Sequence, residues 1–246
     1  MKHLYFIFIF FFTSLLGQRN VDHNIQTGLV LNLNSLDLKT GDMAFFQNQT
    51  FYGKLTQIGT LSPFTHTAMV VVSDSGEILL THSTLNDYNG YSIPVIDKKE
   101  SYSGTILTRF DDLFLSLDNG KSGFYKTIWI RKLKDSKLNR PTAKEILKLY
   151  SKYKNTPFEP SNLHFILSAF DLIIFHYDLL KSPNDNTFMC SEYIAHLFKD
   201  LSFPIHSKEP PREITPSDIY KLLGDYFEDP IVFGFKNGLY HIIDVK

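Results

Sequence analysis

The chain of 246 residues has a single cysteine, Cys190. One thiol excludes an intrachain disulfide and any zinc or iron–sulfur site built from several cysteines. Charge of one sign is also lacking, with 25 Lys and Arg against 26 Asp and Glu. Without a basic excess to neutralise phosphates, the usual sequence argument for nucleic-acid binding fails. The same balance, together with 43% hydrophobic residues, excludes a disordered acidic or basic tail protein. No repeat, low-complexity linker or break in composition divides the chain, so one α+β domain over residues 18–246 is the economical reading.

What is present begins with a targeting signal. Met1-Lys2-His3 is a short positive start, Leu4 to Phe12 is an apolar run, and Gly17 is a small residue before polar sequence. This order describes a secretory signal peptide over residues 1–17, so the mature protein is expected to be secreted or periplasmic. The run is too short for the roughly 20 residues of a spanning helix, although an uncleaved membrane anchor is the rival reading. Export sharpens the cysteine question, because an odd thiol in an oxidising compartment suggests intermolecular pairing or a reactive group.

Turn and periodicity signals then alternate. Gly41-Asp42 marks a turn before a short strand, Met43 to Phe46, and Phe51 to Ile58 reads as a short helix. The β-branched run opened by His66 and the returning segment Glu77 to His82 flank Asp74-Ser75-Gly76, which makes a β-hairpin. Further strands are expected at Ser92–Val95, Gly104–Arg109, Tyr125–Lys132, Ile231–Phe235 and Leu239–Val245. Helices are expected from Ala143 to about Tyr153, over Asn162–Phe175, over Cys190–Asp200 and from Thr215 onward.

Cys190 stands where a polar loop gives way to an apolar-periodic helix. Free N–H groups and the dipole at a helix start favour an anion, which is expected to make the thiol more acidic. The same N–H groups can receive the oxyanion formed when sulfur attacks a carbonyl carbon. The competing reading is a buried small hydrophobe, common for free cysteine. Ser191 and Glu192 suit the first turn of a helix and need no further role. A nucleophilic thiol needs a base, and the histidines available are His23, His66, His82, His164, His176, His196, His206 and His241. His66 stands out at the entrance of a strand after a Pro-containing loop, with His82 on the paired strand where it could orient the His66 ring. A structural His66 and an exposed strand-end His82 are the alternatives.

The segments GDMAFF (Gly41–Phe46), SPFTHTAMVV (Ser62–Val71), YKNTPFE (Tyr153–Glu159), FMCSEYIAHLF (Phe188–Phe198) and ITPSDIY (Ile214–Tyr220), in that order, resemble the permuted papain-like cysteine hydrolases. These are the YiiX/YebB type, related to NlpC-type cell-wall peptidases and to lecithin:retinol acyltransferase. The resemblance implies an antiparallel sheet packed against helices, with the cysteine at a helix N-terminus. It implies Cys190 as nucleophile and His66 as general base, with no metal or organic cofactor. The family's third polar residue is often Glu on the strand after the histidine strand; here that segment is Leu79-Leu80-Thr81-His82, and His82 stands in. Three functions follow from the resemblance. The first is an exported hydrolase of amide or peptide bonds, with cell-wall peptides as one substrate class. The second is a lipid-directed acyl hydrolase or acyltransferase. The third is a catalytically silent binding domain. The expected partners are peptide, cell-wall or lipid acyl substrates, with no nucleic acid and no stable membrane span after signal cleavage. Asn48-Gln49-Thr50 is an N-glycosylation acceptor only in a host that glycosylates exported proteins.

Overall fold

The structure is a computed structural model that describes residues 26–27, 36–86, 92–98, 102–117, 122–158, 187–204, 214–237 and 239–243. The expected signal peptide at 1–17 and helix at 162–175 lie outside the described residues. The elements in chain order are β1 (Gln26–Thr27), β2 (Met43–Asn48), α1 (Phe51–Thr60), β3 (His66–Val72), β4 (Ile78–Thr84), β5 (Gly104–Arg109), β6 (Leu115–Leu117), β7 (Ser122–Gly123), β8 (Tyr125–Arg131), α2 (Ala143–Tyr153), α3 (Cys190–Asp200), α4 (Pro216–Leu223), β9 (Ile231–Lys236) and β10 (Leu239–Ile243).

Seven strands form one antiparallel sheet in the order β10-β9-β8-β2-β3-β4-β5, and β1, β6 and β7 form a small separate one. The central strands read as apolar runs because both of their faces are buried. Period-2 alternation divides them. Met43, Phe45, Met69, Val71 and Leu79 face the helices, where Ile146, Tyr193 and Leu197 meet them. Ala44, Phe46, Ala68, Val70 and Leu80 line the opposite face. That second face is closed by the sheet itself. Phe114, just beyond β5, packs edge-on against Tyr240 of β10 with ring centroids 5.1 Å apart, so the two ends of the sheet curl toward each other.

Gly41 and Asp42 fix the entry to β2. Gly41 has φ +92°, and a Cβ there would come within 2.9 Å of Pro141. Asp42 is fully buried and accepts three hydrogen bonds: from the Lys39 N–H at 2.9 Å on one oxygen, and from the Leu133 N–H at 2.9 Å and the Arg140 guanidinium at 2.7 Å on the other. The motif is thus a brace between the start of β2 and the segment after β8.

The expected strand at Ser92–Val95 is instead irregular. The Asn86 side chain takes both ladder positions at Ile93, accepting its N–H at 2.7 Å and donating to its carbonyl at 2.8 Å. Pro94 has no N–H to offer a neighbouring strand.

Candidate active site

Three helices begin with a threonine whose hydroxyl oxygen accepts a first-turn N–H: Thr50 at α1, Thr142 at α2 and Thr215 at α4. At α3 the corresponding residue is Met189, which makes no side-chain cap. Glu192 reaches back to accept the Met189 N–H at 3.3 Å, but the N–H groups of Cys190 and Ser191 have no capping oxygen from this side chain. With the N–H of Thr67 from β3 and the Ser191 hydroxyl, they act on the Cys190 sulfur in favour of its thiolate. Ser191 donates its hydroxyl hydrogen to the Ile214 carbonyl, which ties the start of α3 to the segment before α4.

A parting of two strands makes room for this helix start. The β3–β4 ladder runs from Val72–Ile78 to Met69–Thr81, while the two strands continue to His66 and Thr84. Tyr193 of α3 meets Thr81 at the last rung, hydroxyl to hydroxyl at 2.7 Å. Beyond it Ser83 donates to the Phe188 carbonyl at 2.9 Å, and Thr67 offers its N–H to sulfur rather than to β4.

On the other face of the parting, His66 Nε2 and His82 Nδ1 lie 2.8 Å apart. His82 Nε2 lies 3.2 Å from Thr108 Oγ1 on β5. The register explains the row. His82 pairs with Ile106, so Thr108 is its diagonal neighbour on the same face, and His66 stands diagonally across on β3. His82 and Thr108 are fully buried, and His66 is 6% exposed. The Phe46 ring lies 5.5 Å from the His66 ring, centroid to centroid.

The structure therefore joins the two histidines to each other and sets the thiol against the residue after His66. No hydrogen bond joins Cys190 to either ring among the described residues. His196 lies further along α3, its ring 4.9 Å from that of Phe188, and His241 lies on β10. His23, His164, His176 and His206 are outside the described residues. Thr67 and Thr108 were not singled out by sequence. The absent oxygen cap before Cys190 was the legible signal for the donors at α3; nothing local marks Thr108.

The electrostatics correct the expectation of an acidic thiol. Cys190 is only 7% exposed, and burial pushes the thiol up to about 11 even though the surrounding N–H groups favour the thiolate. Desolvation of a charge here outweighs the nearby N–H and hydroxyl dipoles. Burial likewise pushes His66 down to about 3, and His82 is held well below its ordinary value by burial and by the adjacent His66. Both rings and the thiol are neutral near pH 7. The thiolate fraction falls tenfold for each pH unit below the thiol pKa, so alkylation by iodoacetamide follows from these values. At pH 8 the folded protein should react at least ~100-fold more slowly than the chain in urea, where a free thiol titrates near 8.5. The folded rate should still be climbing above pH 9. A plateau at or below pH 8 in the folded protein would show that the donors, and not burial, govern the sulfur.

Among the described residues no helix is long and apolar enough to cross a membrane, and no group of three or more His, Cys, Asp or Glu side chains could hold a metal ion. No family model and no curated protein matches the chain. Among solved structures it is similar to one described as metalloprotein yiiX from Escherichia coli O157:H7, at 13% identity, covering 85% of this chain and 98% of that one with a TM-score of 0.42. The chain itself is an α+β protein with a curled antiparallel sheet, helices on one face, and its one cysteine at the first position of α3.

Proposed function

We propose that the protein is a cysteine-dependent acyl hydrolase or acyltransferase acting on activated acyl groups, esters or thioesters of the kind lipids carry. The observation that carries this reading is the placement of Cys190 at the first position of α3, against the unpaired end of β3 where His66 is paired to a second histidine. The motif order that resembles permuted papain-like hydrolases supports the same assignment. With Nε2 of His66 facing His82, Nδ1 is the ring nitrogen left to serve as base.

In the proposed cycle Cys190 gives its S–H proton to His66 Nδ1 as sulfur attacks the acyl carbon. Negative charge on the carbonyl oxygen is met by N–H groups at the start of α3. Collapse expels the alcohol or thiol, which leaves with the proton from His66. Water, or an acceptor hydroxyl, then attacks the thioester and passes its proton to His66, and the proton returns to sulfur as the acyl group leaves.

Esters and thioesters fit this resting state better than amides. A neutral thiol with no hydrogen bond to a neutral imidazole is a weakly activated nucleophile, and an amide demands both a stronger attack and protonation of a poor leaving group. A second reading, a silent binding domain of the same architecture, is favoured by the missing hydrogen bond between thiol and imidazole among the described residues. A panel of substrates separates these. Acyl thioesters and aryl esters should be turned over at least ~10-fold faster than peptide anilides. Faster cleavage of the anilides would restore the peptidase reading, and turnover of none would favour the binding domain.

A further inference from the structure

We propose that Thr108 is a positioning residue for this site, accepting a hydrogen bond from His82 Nε2 and thereby deciding whether His66 can act as a base. The inference rests on the acyl-transfer reading above, and it concerns the order of protons along the buried row His66, His82, Thr108.

Each neutral imidazole has one N–H and one bare nitrogen, so two orders are open to the row. In the first, His66 Nε2–H donates to His82 Nδ1, and His82 Nε2–H donates to Thr108 Oγ1. His66 Nδ1 is then bare and free to take the thiol proton. In the second, the Thr108 hydroxyl donates to His82 Nε2, His82 Nδ1–H donates to His66 Nε2, and His66 Nδ1 already carries its proton. Only the first order supplies a base. The contacts at 2.8 Å and 3.2 Å are compatible with both, so the direction at Thr108 selects between them.

The first order also answers the lack of a carboxylate among the groups acting on the two rings. When His66 takes the thiol proton on Nδ1 it can pass the proton on Nε2 to His82 Nδ1. The cation then sits on His82, which holds N–H on both nitrogens and keeps its bond to Thr108, while His66 is neutral. One proton has moved from sulfur to the pair, and none is gained or lost. Charge is shared between two rings where an acid would have neutralised one.

The test uses the full chain with 15N-labelled histidine, and long-range 1H–15N correlation assigns the protonated nitrogen of each ring at neutral pH. Both His66 and His82 should carry the proton on Nε2. Thr108→Val, which keeps the shape and removes the oxygen, should mix the tautomers of both rings and lower kcat about tenfold with KM little changed. Thr108→Ser should restore the tautomers and most of kcat, and a matched unfolding curve would confirm that both variants fold. A proton on Nδ1 of His82 in the unaltered protein overturns the proposal, as do unchanged tautomers and kcat in Thr108→Val. If the unaltered protein turns over no ester or thioester, the acyl-transfer reading fails by that measurement alone, and the tautomer spectra decide the proton order independently.

Discussion

Cys190→Ala is expected to remove turnover of a thioester substrate by a factor of about 10⁴ or more, because it removes the chain's one thiol. His66→Ala should cost about 10²–10⁴-fold, the usual worth of a positioned general base. His82→Ala should cost less and leave folding intact, since a neutral ring orients its partner without the permanent charge of a carboxylate. The double variant of His66 and His82 should be no slower than His66→Ala, as groups that act as one unit are not additive. Initial rates on one substrate, with Cys190→Ala as the blank, measure all four. Full activity in His82→Ala beside a dead His66→Ala would make His82 a neighbour without a role.

The largest effect on stability is expected at Asp42. Its side chain is 1% exposed, with the Arg140 guanidinium at 2.7 Å and two backbone N–H groups at 2.9 Å. Asp42→Ala leaves Arg140 with Asp135 and the Thr40 and Leu133 carbonyls only, and strands the N–H groups of Lys39 and Leu133. Breaking a buried pair from one side costs about 3–5 kcal/mol, which for a protein of ordinary stability is a large share of the total. Asp42→Asn should cost less, because its amide oxygen can still accept one of these N–H groups. Urea unfolding curves give the difference. A loss in Asp42→Ala below ~1 kcal/mol would mean that water replaces the carboxylate and that the brace is dispensable.

Most of the sheet was legible because its strands announce themselves locally. The β3–β4 hairpin follows from two β-branched runs around Asp74–Gly76, and α2, α3 and α4 follow from apolar spacing with Thr142 and Thr215 as caps. The strand expected at Ser92–Val95 failed for a non-local reason: the Asn86 side chain satisfies Ile93 in place of a neighbouring strand. The short strands β6 and β7 were missed because two or three residues are too few to show alternation.

The candidate site was legible unequally. Hairpin spacing was enough to suggest His82 as a neighbour of His66, whereas Thr108 needs the register of β5 against β4, which is a long-range pairing. The ionisation of the thiol was misjudged because helix-start chemistry is a local feature and burial is not. The sequence displays a helix start with no side-chain oxygen at Met189, but not the parting of β3 from β4 that carries Cys190 into the interior.

The central claim is that Cys190 becomes acylated, and intact-protein mass spectrometry tests it most directly. The protein mixed with an excess of a fatty acyl thioester and quenched in acid within seconds should gain the mass of one acyl group. Peptide mapping should place that group on Cys190, and His66→Ala should form the adduct far more slowly. An unaltered protein mass across the time course, or an acyl group that persists in Cys190→Ala, would contradict the account.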